Sequence, residues 1–588
     1  MALLFRTLWS FLFLGCLPET HAQILTQGVT PQAQIYQDKH QLPLATSQYK
    51  QTLRDLIEAI DVMQNEYFVL WEGTWPSGND WTRAVHGTHV SATLATLTAY
   101  TDDKLLESLF SDTSEDEDED DEDSEDGKYG KDPITQNSLA LENLVSHFFA
   151  QVSTFYFGEN AFALRNQAFD DMLWVTLGWL ENIKFQVLHS DLHYEDSSRT
   201  GRRPWHGTQF QTPAAHRVRI FYDLASEGWE TTLCGGGMIW NPYLGPYKNA
   251  ITNELYISAS IGMYLYFPGD KIDAPFMKRA GGGESADGLP HDPVYLKTAQ
   301  EAYRWLKHSN MTGIFDLYAD GFHIHNYQSP KQPGTRQCDV LNTMVYTYNQ
   351  GVILSGLKGL WLATGSEEYL NDGHKLIQNV QRATGWPNIY DQHWKGLGRA
   401  GIMEDTCDSH GDCSQDGQTF KGIFWHHFVE FCRPLRPQEE RFLQTQTWAR
   451  NRQFERSFEW HQAWCSTYRP WIERNAEAAL ITRNEDGKFG TWWGRRYRMF
   501  DDSIPSHDNP LPNGATDYRN HPDTAPRFWS SNATTVLAST GATSPKDDEP
   551  EYNDRGRGRT VETQSGGVAV LRALYQWKTA PSLSGGFT

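Results

Sequence analysis

Leu341-Asn-Thr-Met-Val345-Tyr-Thr-Tyr348-Asn-Gln-Gly-Val352-Ile-Leu-Ser-Gly-Leu357-Lys-Gly-Leu360-Trp361-Leu-Ala-Thr364 is apolar around more than one face of a helix. Val345, Val352, Ile353, Leu354, Leu357, Leu360, Trp361 and Leu362 are not confined to the single stripe that a surface helix turns towards its core. Such a helix needs neighbours on most sides. The stretch therefore predicts an inner helix of a larger helical assembly.

Outward from it, helical periodicity recurs with little between that reads as strand. Upstream it predicts helices over Gln48 to Met63, Val85 to Tyr100, Ser138 to Phe157, Asp171 to Val187, Tyr247 to Tyr266 and Pro293 to His308. Downstream it predicts Glu367 to Thr384, Phe420 to Cys432, Gln438 to Gln453, Gln462 to Arg483 and Gly567 to Trp577. Twelve helices in sequential pairs suit a closed double ring or an open solenoid. No fixed repeat period of the solenoid kind is present, which favours closure. Ser190 to Ala215 and Asp501 to Gly566 are polar and rich in turn residues, and both read as surface insertions.

The net charge of −23 rests heavily on Asp112 to Asp126, twelve acidic residues with no basic one. Such a run repels itself, so residues 111–130 are expected to be a disordered loop. The remainder is still acidic, which excludes a phosphate-backbone binder and hence nucleic acid as a partner. Aromatic residues make up 13% of the chain, including 22 Trp, more than a core requires. Stacking surfaces for the C–H faces of pyranoses would use the excess.

Arg6, then Leu8 to Leu17, then His21-Ala22 form a charged, apolar and small-residue succession. This is a secretory leader over residues 1–22, too short to span a bilayer. No later stretch has the length of a transmembrane helix, and the tail 579–588 lacks the hydrophobic segment of a GPI signal. The expectation is a secreted, extracellular protein with one domain over 23–578, carrying the 501–566 segment as an insertion. Six cysteines remain after the leader, an even number suited to disulfides, with Cys407 and Cys413 close enough to staple one loop. Asn310-Met-Thr and Asn532-Ala-Thr are glycosylation sequons.

Chemistry concentrates in Asn166-Gln-Ala-Phe-Asp170-Asp171-Met-Leu-Trp174-Val-Thr-Leu-Gly-Trp179. Two adjacent carboxylates open an apolar helix, and either they cap it or they act on a substrate. The aromatic faces of Trp174 and Trp179, within about a turn, favour sugar chemistry. In Cys234-Gly-Gly-Gly-Met-Ile-Trp240-Asn-Pro-Tyr243 the glycines permit close approach to a ligand, with Trp240 and Tyr243 as stacking platforms. Lys248, Asn249 and Asn253 then stand as binders of sugar hydroxyls; the alternative is a turn followed by a capped helix. Tyr348, Asn349 and Gln350 head the inner helix and either bind hydroxyls or satisfy its first turn. No metal or cofactor is expected. Asp408, Asp412 and Asp416 miss the positions of an EF-hand loop, and the histidines form no HExxH.

Taken in order, these blocks resemble glycoside hydrolase family 76, the α-1,6-mannanase family. The resemblance runs through Asp170-Asp171 with Trp174, Cys234 to Trp240, Tyr247 to Glu254, and Tyr348 to Val352. It continues through Asp416-Gly, Phe420-Lys421-Gly-Ile-Phe424 and Asn475 to Ala479. It implies an (α/α)6 barrel and a retaining mechanism on mannan, with Asp170 as nucleophile, Asp171 as general acid/base and Lys421 among the substrate-binding residues. Adjacent positions in a helix diverge by about 100°, so the pair is expected at a loop-to-helix junction. Two other activities fit the same residues: a cell-wall transglycosidase acting on GPI-linked mannose glycans, and an inactive mannan-binding protein.

Overall fold

The computed structural model describes residues 42–111, 139–194, 205–272, 289–494, 509–522 and 551–579. The leader, the whole acidic run Asp112 to Asp126, the Asn532 sequon and residues 580–588 lie outside the described residues.

The long helices are α1 (Leu42–Glu66), α2 (Asp80–Tyr100), α3 (Ala140–Gly158), α4 (Phe169–His193), α5 (Gln211–Ser226), α6 (Ala250–Tyr266) and α7 (Pro293–His308). They continue with α8 (Thr347–Thr364), α9 (Glu367–Ala383), α10 (Gln415–Cys432), α11 (Arg452–Ser466), α12 (Arg469–Ile481) and α13 (Val561–Thr579). Contacts run α2 to α4 to α6 to α8 to α10 to α13, and α13 returns to α2. Those six helices close an inner ring. Outside it, α3 packs on α2, α5 on α4, α7 on α6, α9 on α8 and α12 on α13. Helix α1 completes the outer layer, its Ala59 carbonyl accepting from Gln564 of α13 and its Gln64 bonding Gln151 of α3. The protein is an (α/α)6 barrel.

Burial follows this assignment. Helix α8 is buried on nearly every residue from Thr347 to Ala363, as its apolar pattern requires, whereas α9 buries only a stripe including Leu370, Ile377 and Val380. Close contact between inner helices needs small residues. A Cβ on Gly351 would lie 2.6 Å from the Phe424 Cα of α10, and one on Gly422 would lie 3.0 Å from the Gly566 Cα of α13.

Several boundaries differ from the expected ones. Residues 190–193 still belong to α4, and α5 occupies Gln211–Ser226, so the segment read as irregular from Ser190 to Ala215 holds parts of two helices. Ala214, Val218, Phe221, Tyr222 and Ala225 of α5 are buried; the charges between them hid this stripe. The inner helix begins at Thr347, because Val340–Asn342 is strand β3, paired antiparallel with β2 (Gly321–His323), which pairs with β1 (Lys248–Asn249). The helix expected over Gln438 to Gln453 is the shorter Pro437–Thr445, and the one expected over Gln462 to Arg483 divides between α11 and α12 near Pro470.

Short strands and irregular stretches precede α6, α8 and α10, so these connections build one end of the barrel at the N-termini of the inner helices. Three disulfides, Cys234–Cys338, Cys407–Cys413 and Cys432–Cys465, use all six cysteines after Cys16.

Candidate active site

Asp170 and Asp171 stand in the first turn of α4. Ala168 is the N-cap, and Asp171 turns back so that its Oδ2 accepts from the Ala168 amide at 3.1 Å. The Asp171 amide in turn donates to Asp170 Oδ1 at 3.1 Å. The cap thus falls on one of the two candidate carboxylates. The cap ties down one oxygen of Asp171 and leaves the other outside that bond.

The remaining wall comes from far along the chain. The Phe169 amide donates to the Trp240 carbonyl at 2.9 Å, which seats the glycine-rich loop beside the pair. Arg519 Nη2 lies 3.9 Å from Asp170 Oδ2, and its guanidinium sits over the Trp240 ring at 4.9 Å. Asp416, at the start of α10, accepts from Asn79 Nδ2 at 3.1 Å and from the Trp81 indole at 3.2 Å. Trp81 stacks on Trp174 with ring centroids 5.5 Å apart. Tyr348 is buried flat against Phe420 at 4.0 Å, and its hydroxyl has no hydrogen-bond partner among the described residues.

Charge is crowded here. Burial pushes the Asp170 carboxyl up to about 6, against the opposing pull of Arg519 and of the Asp171 amide. Burial, and then the charge on Asp170, push Asp171 well above the usual carboxylate range. Burial also raises Asp416 and Asp320, again against Arg519. Burial works against the charge of Arg519 itself, but Tyr348, Asp320, Asp170 and Asp416 outweigh it and keep the guanidinium protonated. Both carboxyls are raised by burial, and the added charge of Asp170 makes Asp171 the member of the pair favoured to hold a proton.

Of the residues singled out from the sequence, Asp170, Asp171, Trp174, Trp240 and Tyr348 come together. Others serve the scaffold, which corrects their expected role. Lys248 is fully buried, and its ammonium donates to the carbonyls of Glu230, Gly236 and Gly237 at 2.6 to 2.8 Å; it shapes the glycine loop from behind. Asn249 caps α6 through the Thr252 amide. Asn253 pairs with both backbone groups of Met238. Gln350 does the same with Tyr318, and Lys421 is held by both oxygens of Asp408. Tyr243 is exposed on the loop before α6, and the amide of Asn349 is buried without partners. Asn310 is exposed.

The residue that sequence reasoning missed is Arg519. The stretch 509–522 belongs to the segment expected to be a surface insertion, yet it is stitched into the site. Tyr346 donates to Asp517 at 2.7 Å, the Ser414 amide donates to Asn520 at 2.9 Å, and the Thr516 amide donates to Asn342 at 2.8 Å. The signal available was one arginine within Asp517-Tyr-Arg519-Asn520. As for metals, Asp408, Asp412 and Asp416 aim at Lys421, His521 and Trp81 respectively, with no shared centre. The His374, His461 and Cys465 cluster has its sulfur in a disulfide.

Residues 289–469 match the sequence model described as glycosyl hydrolase family 76. The family resemblance holds. Among curated relatives, the Saccharomyces cerevisiae mannan endo-1,6-alpha-mannosidase DFG5 is 22% identical over 216 residues, 35% of this chain and 37% of the relative. The Candida glabrata mannan endo-1,6-alpha-mannosidase DCW1 is 23% identical over 204 residues, 33% of this chain and 35% of the relative. The chain thus spans well under half the length of these curated relatives. Among solved structures, the α-1,6-mannanase of a Salegentibacter species aligns with a TM-score of 0.42 at 17% identity, over 90% of this chain and 98% of that one. An inactive variant of that enzyme, bound to α-1,6-mannotriose, gives a TM-score of 0.44 at 17% identity, over 90% and 99%. No described helix is long and apolar enough to cross a membrane.

Proposed function

We propose that this protein is a secreted endo-acting glycoside hydrolase that cleaves α-1,6-mannosidic bonds of mannan backbones with retention of configuration. The observation that carries the reading is the pair of adjacent, buried carboxyls in the first turn of α4, with Arg519 3.9 Å from Asp170 Oδ2, in a chain that resembles family 76. Retaining hydrolysis needs one carboxylate to attack the anomeric carbon and one carboxylic acid to protonate the departing oxygen. Asp170, facing Arg519, is the group that attacks and forms a glycosyl ester. Asp171 gives its proton to the leaving oxygen, becomes a carboxylate, and then takes a proton from the water that resolves the ester. Trp240 and Trp81 offer flat faces to the sugar, and the Tyr348 hydroxyl has its hydrogen-bonding capacity free for a sugar oxygen.

The proposed secretion rests on the charged, apolar and small-residue succession over residues 1–22, and the exposed Asn310 is the sequon that lies within the described residues.

The test is incubation with linear α-1,6-mannan, following reducing ends and, by NMR, the anomer first released. The expected result is α-mannose ends appearing first, with Asp170→Asn and Asp171→Asn proteins inactive. First release of the β anomer would overturn retention, and an active Asp170→Asn protein would overturn the assignment of the nucleophile. Elongated products that grow with an added glycan acceptor, at the expense of reducing ends, would replace hydrolysis by transglycosylation.

A further inference from the structure

Inside the ring, away from the aspartates, a cavity of about 40 Å³ is lined by α4, α6, α8 and α10. Glu181 on its wall is eleven residues beyond Asp170 on the same helix, roughly 16 Å along the axis. The volume suits one small ion or water rather than a sugar. The walls carry three cations, Lys184, Lys358 and Arg433, against the carboxylates of Glu181 and Glu430.

The imbalance persists one layer out. Arg436 donates to Glu181 and Glu430 at 3.1 and 3.3 Å, and Arg572 donates to Glu430 at 3.1 Å. Arg433 engages Glu439 through both terminal nitrogens, and Tyr266 donates to the same carboxylate. Five cations are therefore served by three carboxylates. The orphaned polar atoms of these eight charged groups are both donors, Arg436 Nη1 and Arg572 Nε, each buried without a hydrogen-bond partner. Lys358 sends its ammonium to the Arg433 carbonyl, which supplies a dipole but no charge. Neither orphaned atom belongs to the cavity lining, so the charge excess carries the argument: uncompensated buried cations are costly, and a bound anion offsets that cost.

We propose that this cavity is a binding site for a single small monovalent anion of halide size, held by Lys358, Lys184 and Arg433. It is separate from the aspartate pair and does not depend on the proposed activity. Burial, followed by the charge of Arg433, brings Lys358 down to about 7, so the site gains a full charge as pH falls through neutrality. Of the other groups on the wall, burial holds His426 well below its ordinary value and His427 down to about 3, and the arginines keep Glu430 well below its own. Anion binding is accordingly tighter at about pH 6 than at about pH 8.

The experiment measures the Tm of the full-length protein in sodium bromide against sodium gluconate at fixed ionic strength. Bromide is expected to raise Tm by about 1–2 °C and then to level off, more so at the lower pH. Lys358→Met, which removes one excess charge and fills similar space, is expected to fold and to lose the saturable rise. Equal Tm in the two salts, or a bromide effect undiminished in Lys358→Met, overturns the proposal. Should the variant not fold, anomalous diffraction from bromide-soaked wild-type crystals decides: a peak in the cavity supports the site, and water alone there overturns it.

Discussion

The mouth of the barrel and the interior near its opposite end both bury clusters of charge, but with opposite balance. At the mouth, Asp170, Asp171, Asp320 and Asp416 gather around Arg519, and burial pushes all four carboxyls up. In the deeper cluster, cations outnumber acids, and Glu430 and Glu439 are held well below the usual carboxylate range because arginines overcome their burial. The same desolvation acts at both places. What differs is the number of counter-charges, and that number decides which cluster stores protons for chemistry and which locks helices together.

The sharpest break of this contrast is at the pair. Asp171→Asn is expected to lower kcat about 10²- to 10⁴-fold, as loss of a general acid does, with little change in unfolding midpoint. A collapse in stability instead would make its cap the main role. Next comes Glu430→Gln, which strands Arg436, Arg572 and Lys184 without their shared carboxylate. The expected loss is about 3–5 kcal/mol in urea unfolding, since an uncompensated buried charge remains. A loss under about 1 kcal/mol would mean that solvent already screens the cluster.

A smaller effect separates the two regions by pH. Arg519→Met removes the cation facing Asp170, so the acid limb of kcat/KM, expected near pH 6 in the wild type, should move up by about one pH unit. An unmoved limb would remove Arg519 from the electrostatics of the pair. The stability signs also oppose. Asp170 binds its proton more tightly folded than unfolded, so its term falls away as pH rises from about 3.9 through about 6. Glu430 and Glu439 are depressed, so their stabilisation is present above about pH 4.3 and disappears as pH drops further. Asp170→Asn should flatten the first trend alone in pH-dependent unfolding. Smallest is Tyr348→Phe. Its hydroxyl has no partner in the protein, so stability should hold while kcat/KM falls about tenfold, near the value of one hydrogen bond to substrate.

The ring was legible because its inner helices have an apolar signature that no surface helix shares, as Leu341 to Thr364 illustrates. The aspartates were legible because polar residues heading such a helix need a reason. Lys248 and Gln350 misled for the opposite reason. Buried backbone in the connecting loops must find partners, and a long polar side chain serves that need as readily as it would bind a sugar. Arg519 was hidden by composition: Asp501 to Gly566 is poor in apolar residues and rich in Pro, Asp, Asn, Ser and Gly, but a segment lining a polar cleft needs hydrogen bonds more than hydrophobic surface. Helix α5 was obscured because an outer helix needs only a narrow buried stripe.

The order in which the ring closes has a temporal side. Helix α13 supplies the sixth stave, and its Glu562 meets Thr82 of α2 across 480 residues of chain. During synthesis the first five staves emerge with an unfilled gap on the flank of α2, and the polar interior stays open to water until α13 arrives. A chain interrupted before Val561 would expose both that gap and the half-assembled charge cluster that Arg572 completes. Quality control during synthesis can therefore read completion of the ring from a single late helix.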